Sequence, residues 1–245
     1  AAAVVEQLGV KLGLPAVVAT VTVAPGPGPE AAARTARYAA LEAAAEPGEL
    51  VLLGHTLDDQ AETVLLGLAR GSGPRSLAGM PARRGRFVRP LLGVRRAVTA
   101  AACAELGLTP WQDPHNAETR FSRVRVRERI LPVLEAELGP GVAEALARSA
   151  DLFRIDADYL DELTAGTLAQ LAGETLDCSA LAATPAALRS RVLRSWLAER
   201  GAAQVTAQHL SAVELLIDHW HGQRWVDLPG LRVMRDDGRL VAQAR

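Results

Sequence analysis

Along the first half of the chain the apolar positions recur with two alternating periods, which predicts helices interleaved with strands. Residues 1–12 read as a helix and 17–23 as a strand; Pro25-Gly26-Pro27-Gly28-Pro29 reads as a loop that hands over to a helix over about 30–45. The short apolar run 50–53 suits a buried strand. After it Ala61, Val64, Leu65, Leu68 and Ala69 return at helical spacing, predicting a helix over 58–70. This order implies a parallel sheet covered by helices and joined by right-handed crossovers. Gly71-Ser72-Gly73-Pro74 ends that helix, and an arginine-rich loop then runs through Arg83, Arg84, Arg86 and Arg89 to Pro90. Residues 94–106 are helical again, 108–111 read as a short strand, and Asp113-Pro114-His115-Asn116 as a turn.

The second half has a different texture. Helical periodicity runs from 125 to about 171, interrupted at Gly139-Pro140-Gly141. Two further helices are expected near 183–200 and 206–220, each preceded by a threonine as candidate cap. The chain closes as a β-meander over 224–228, 231–235 and 240–242, turning at Pro229-Gly230 and Asp237-Gly238. A boundary near 140 therefore separates an α/β unit, 1–140, from a mainly helical unit, 141–245.

At 245 residues and 49% hydrophobic content the chain is globular, and no apolar run reaches the roughly 18 residues a spanning helix needs. With no signal-peptide pattern at its start, a cytoplasmic protein is expected. Cys103 and Cys178 are far apart, which indicates neither a disulfide framework nor a cysteine metal site. Net charge is near zero but unevenly spread. Residues 70–129 carry thirteen arginines against four acids, whereas the stretches on either side are acidic. Such an island suits a phosphate-bearing partner, a nucleic acid above all, with surface solvation as the plainer account.

The densest chemistry lies in Gly54-His55-Thr56-Leu57-Asp58-Asp59-Gln60-Ala61-Glu62-Thr63, where a strand feeds a helix. That junction is the expected ligand crevice of an open parallel sheet. Asp58, Asp59 and Glu62 fall on the face opposite the apolar stripe, and carboxylates there suit a metal ion or a cationic substrate. Thr56 with Asp59 three residues on also fits a capping arrangement, and both readings stand at this point. His209, His219 and His221 show no metal-ligand spacing.

Six motifs in order resemble the tRNA(Ile)-lysidine synthetase family: Glu30-Ala-Ala-Ala-Arg34-Thr-Ala-Arg37-Tyr38; the 54–63 run; Arg70-Gly71-Ser72-Gly73 with Leu77-Ala78-Gly79-Met80; Arg89-Pro90-Leu91-Leu92; Trp111-x-Asp113-Pro114-x-Asn116; and Arg123-x-Arg125-x-Arg127 before Ile130-Leu131-Pro132. They span about 30–132, and the last third matches more weakly. The resemblance implies an adenine-nucleotide α-hydrolase-like catalytic domain followed by a helical tRNA-binding domain. It also implies a ligase that uses ATP to activate C2 of the wobble cytidine in a CAU anticodon and joins L-lysine there, through an adenylated intermediate. The family's Ser-Gly-Gly-x-Asp-Ser pyrophosphate loop and the strand before it have no counterpart in this sequence, so a parent chain is expected to supply both ahead of Ala1. Val124 and Glu128 replace the family's usual asparagine and histidine.

On this resemblance the catalytic candidates are Asp59 and Glu62, which would hold and deprotonate the lysine amine, with Asp58 or His55 assisting. Arg34 and Arg37 would clamp ATP phosphates, unless they are a solvated pair on a helix face. Magnesium, which prefers oxygen ligands, would sit on Asp58. Arg70, Arg89, Trp111, Asp113, Asn116, Arg123, Arg125 and Arg127 would meet tRNA. Trp111 equally fits a buried indole beside an Asx turn, and the three alternating arginines line one side only if extended. In the second unit the helix bearing Arg189, Arg191 and Arg194 is expected to grip tRNA. Oligomeric state is left open, a homodimer included. Another ATP-dependent tRNA-modifying enzyme of the same fold, or a non-catalytic RNA-binding fragment, are the alternatives; similar thiolases use cysteine pairs that this chain lacks.

Overall fold

A computed structural model describes residues 2–24, 28–111, 113–171 and 173–244. It divides into two compact units, Ala1–Arg154 and Ile155–Arg245. Among the described residues no helix is long and apolar enough to cross a membrane. The expected loop over 25–27 lies outside the described residues.

In the first unit, helices α1 (Ala2–Leu12), α2 (Pro29–Ala44) and α3 (Leu57–Ala69) stand where the apolar periods place them. Strand β1 (Val51–Leu52) pairs in parallel with β3 (Phe87–Val88), which pairs antiparallel with β2 (Arg83–Arg84). The last two form a hairpin inside the stretch expected to be an arginine loop. Gly85 supplies the positive φ of 59° that its two-residue turn requires. Residues 17–23 belong to no strand: Val17 and Val18 are 82% and 54% exposed, and their backbone makes no ladder. Apolar content reports only what side chains prefer, whereas a strand exists by pairing with another backbone. The strand expected over 108–111 is absent for the same reason, and the 50–53 strand is not buried, with Leu50 and Leu52 half or more exposed.

After α4 (Pro74–Leu77), Gly79 turns the chain at φ 60° beneath the buried Gln60. The Gln60 amide receives the Met80 backbone N–H at 2.8 Å and donates to the Met80 carbonyl at 3.1 Å. A Cβ on Gly79 would stand 2.6 Å from Gln60 Oε1, which explains the glycine in Leu77-Ala78-Gly79-Met80. Helix α5 (Arg96–Glu105) is followed by α6 (Ser122–Arg125), a π-helical turn (Val126–Ile130) and α7 (Leu131–Leu138). Leu57 and Ala61 of α3 pack on Val126, Leu131 and Ala143, which seats the start of α3 against the arginine segment.

Helix α8 (Val142–Leu171) gives its first turns to the first unit and its last to the second. There α9 (Cys178–Ala183), α10 (Ala186–Glu199) and α11 (Ala207–Asp218) pack on an antiparallel sheet ordered β4-β7-β6-β5. Its strands are β4 (Thr175–Asp177), β5 (Val226–Leu228), β6 (Leu231–Asp236) and β7 (Arg239–Ala244). The expected meander is present, and β4 adds a strand not anticipated. Thr206 caps α11, its hydroxyl accepting the His209 N–H at 3.2 Å. Helix α10 instead starts behind Pro185, and Thr184 closes α9.

Candidate functional site at the start of helix α3

Thr56 precedes α3 in extended conformation and leaves backbone donors to satisfy, as every helix start does. Asp59 answers through Oδ2, which accepts the Thr56 N–H at 2.8 Å and the Thr56 hydroxyl at 2.9 Å. Capping is thus part of its role. Its other oxygen, Oδ1, faces Arg96 at 3.0 Å and Arg127 at 3.5 Å. Burial alone would raise the Asp59 carboxyl. The Thr56 N–H, the Arg96 guanidinium, the Thr56 hydroxyl and Arg127 outweigh it and hold the carboxyl below the ordinary aspartate range.

One turn on, Glu62 is fully buried. The Arg127 fork grips it, Nε to Oε1 at 2.7 Å and one terminal nitrogen to Oε2 at 3.1 Å. Arg96 adds a contact at 3.4 Å and Arg123 one at 3.7 Å. Arg127 and Arg123 reach the same carboxylate because they stand four apart on a helical turn. Arg125, between them, points elsewhere and donates to the carbonyls of Thr119 and Arg120, both at 2.8 Å. The helix settles the open question about these arginines: they do not line one side.

Asp58 does a different job. Its Oδ2 accepts the Arg96 backbone N–H at 2.6 Å and its Oδ1 lies 3.4 Å from Arg95, so it caps α5 from a neighbouring helix. With both oxygens engaged, the donors do not fit the magnesium expected on Asp58. Among the described residues no group of three or more histidine, cysteine or acidic side chains could hold a metal ion.

On the strand side of α3, His55 sits among cations. Burial, opposed by Asp59 but reinforced by Arg89, Arg34 and Arg123, pushes its imidazole down to about 4, so it is neutral at physiological pH. Its buried Nδ1 has no hydrogen-bond partner among the described residues. Arg89, 4% exposed, donates to the Pro81 carbonyl at 2.8 Å and the Tyr38 hydroxyl at 3.3 Å. Arg34 stacks over the Tyr38 ring at 4.8 Å and donates to its hydroxyl at 3.1 Å. Desolvation, partly countered by Tyr38, and then repulsion from Arg123, Arg37 and Arg89, lowers the Arg34 guanidinium from its ordinary value. A cleft of about 580 Å³ opens here, lined by Arg34, Tyr38, Phe87 and Arg89 among others. Neutral imidazole and converging guanidiniums make this side receptive to an anion, while the Asp59–Glu62 side is built for cations.

Two domain families match the chain: a PP-loop domain over residues 1–134 and a TilS substrate binding domain over 176–241. The tRNA(Ile)-lysidine synthase of Leifsonia xyli subsp. xyli is 51% identical over 94% of this chain and 72% of its own length. That of Thermobifida fusca is 51% identical, covering 92% and 72%, and that of Mycolicibacterium paratuberculosis 55%, covering 87% and 68%. The chain belongs to the tRNA(Ile)-lysidine synthase family. Its fold is accordingly a PP-loop domain followed by a substrate-binding domain that carries the small antiparallel sheet.

Of the residues that the resemblance to the tRNA(Ile)-lysidine synthase family singles out, the structure gathers His55, Asp59, Glu62, Arg34, Arg89, Arg123 and Arg127 around the start of α3. Asp58 is adjacent but turned to α5. Arg37 stays at the rim, 6.0 Å from the Tyr38 ring. Arg70 closes the far end of α3 and is exposed. Trp111 is 47% exposed, so the buried-indole reading does not hold. The Asn116 N–H donates to the Asp113 carbonyl at 2.9 Å, with Asp113 just ahead of the short 3-10 turn Pro114–Ala117 and Asn116 within it. Arg96, Arg95 and Tyr38 were not singled out. A signal existed for the arginines: two cations opening a helix oppose its dipole and call for acidic partners. Arg95 finds Asp58, Glu135 and Glu144.

Proposed function

We propose that the protein joins L-lysine to C2 of the wobble cytidine of tRNA(Ile) bearing a CAU anticodon, at the expense of ATP. The observation that carries this reading is identity above half with tRNA(Ile)-lysidine synthases over most of the chain. A PP-loop domain binds ATP and the family acts on tRNA. Lysine as the second substrate, and magnesium brought in on the ATP phosphates instead of on Asp58, are part of the proposal. So are a cytoplasmic location, an ATP-using part over 1–140 and a tRNA-gripping part over 141–245.

In the first step the cytidine C2 oxygen attacks the α-phosphorus and the bond to pyrophosphate breaks. Arg34 and Arg89, with Arg37 at the rim, would attract the phosphates, and uncharged His55 would offer a hydrogen bond without adding to the repulsion among the cations. In the second step the lysine side-chain nitrogen bonds to C2, AMP leaves with the oxygen, and the ammonium sheds its protons. Asp59, held ionised, suits attraction of that ammonium. Its Oδ1 is shared with Arg96, the most exposed of the three guanidiniums, so the incoming cation would displace Arg96. The test is incubation of the intact protein, carrying the pyrophosphate loop expected ahead of Ala1, with ATP, labelled lysine and a tRNA transcript bearing CAU. Label entering tRNA only when ATP is present is expected. Absence of label in tRNA that is demonstrably bound would refute the reading.

A further inference from the structure

In the second unit, Arg189 on α10 is ion-paired within the protein, and Arg191 and Arg194 are partly engaged by backbone carbonyls. Arg189 grips Asp218 with both terminal nitrogens, at 3.1 and 2.8 Å, and is 13% exposed in its side chain. Arg191 donates to the Ala187 carbonyl at 2.7 Å and Arg194 to the Val205 carbonyl. Over 155–218 nine acids outnumber four arginines, which makes this part of the unit a poor partner for a polyanion.

The loop after α11 and the sheet edge it leads into differ on both counts. Between residues 219 and 235 three arginines face one acid. Trp220 and Trp225 are 38% and 41% exposed, whereas Trp196, the unit's other indole, is 1% exposed in the core. Two exposed tryptophans five residues apart are apolar surface that a partner would cover. Each carries a cation: Arg232 lies 4.3 Å and Arg224 6.0 Å from the Trp225 ring, and Arg235 lies 5.7 Å from that of Trp220. Arg235 also donates to the Leu216 and Ile217 carbonyls, fixing the end of α11 and with it the root of Trp220. The Gln223 amide bonds the His219 carbonyl at 2.9 Å, closing the intervening loop. Besides the Trp225 ring, Arg232 meets Asp227 in an exposed contact at 3.2 Å, worth little in water. Indole faces beside charged guanidiniums are how proteins hold unpaired bases and the phosphates that flank them.

We propose that the Trp220–Trp225 loop and Arg232, on strand β6 next to edge strand β5, form an RNA-gripping face that stacks an unpaired nucleotide of tRNA and neutralises about two phosphates. This rests on tRNA being the substrate, and it moves recognition in this unit from α10 to the opposite type of surface, a loop and a sheet. The test measures binding of a CAU tRNA transcript to the full chain across a salt series. Trp225→Ala should weaken binding on the order of 5- to 150-fold, from the ~1–3 kcal/mol typical of base stacking, with Trp225→Phe restoring most of it. Arg224→Gln with Arg232→Gln should flatten the plot of log affinity against log salt by about 1.5 units. Folding is checked by circular dichroism and ATP affinity should not change. Folded variants that bind tRNA as the wild type does overturn the proposal, and so does unchanged RNA binding with loss of self-association, which would give the face to a second copy of the chain. Wild-type protein that carries the pyrophosphate loop and binds tRNA but transfers no lysine would refute the lysine reading alone.

Discussion

Replacing Glu62 by Gln should lower stability far more than a change of one atom suggests. The carboxylate is fully buried and answers the Arg127 fork, with Arg96 and Arg123 beside it. A glutamine can accept from one guanidinium nitrogen, but its amide N–H would face another donor. Arg96 and Arg127 would then share Asp59, and Arg123 would lose its contact with a charged Glu62. Breaking a buried ion pair from one side costs about 3–5 kcal/mol. The guanidiniums keep 22–36% of their surface in water and can rehydrate in part, which argues for the lower end, about 3 kcal/mol. For a protein of this size that is a fall in Tm of roughly 6–12 °C, read by differential scanning calorimetry. Asp59→Asn is the comparison: it disturbs a cap worth about 0.5–2 kcal/mol, so its Tm should fall less while lysine transfer is lost. A Glu62→Gln protein melting within about 2 °C of the wild type would show that the buried network is not holding α3 to the arginine segment.

Stability should fall as pH is lowered from about 7 toward 4, because unfolded His55 takes up a proton near its ordinary value of 6.5 while the folded imidazole resists until about 4. His55→Gln should flatten Tm against pH in that window; Asp59, also shifted downward, adds its own loss of stability only as pH falls below its ordinary value of 3.8. Gly79→Ala should cost about 1–3 kcal/mol, since alanine resists the positive φ and its Cβ would push Gln60 off the Met80 backbone. A urea midpoint equal to that of the wild type would remove the close-approach argument.

The acids of α3 were legible because capping chemistry and a polar face are local, falling within two helical turns of Thr56. Arg96 was not, since its partners Asp59 and Glu62 lie 37 and 34 residues away. The same distance problem hid β4, a three-residue strand with one apolar side chain whose partner is β7, and misplaced the strand at 17–23, where apolar valines lack a neighbour to pair with. The closing meander was readable because Pro229-Gly230 and Asp237-Gly238 mark its turns in the sequence itself. Arginine-rich β2 and β3 were read as loop because charge masks strand patterning until Phe87 and Val88 are seen against β1. The arginines of 123–127 could be sorted only once the helix showed which two share a face.

The π-helical turn at Val126–Ile130 gives the arginine segment a phase of its own. A wider turn admits one more residue per revolution than an α-helix, so everything after it is rotated relative to everything before. Val124 and Val126, two apart and on nearly opposite sides of a regular helix, are both buried. The insertion works like an index pin: Arg123 ahead of the pin and Arg127 within it are both timed to Glu62, and Leu131 beyond it is timed to the core. Closing the turn to an α-helix by deleting one residue would leave every side chain chemically intact and put the two halves out of step, so this stretch should tolerate substitution far better than a change of length.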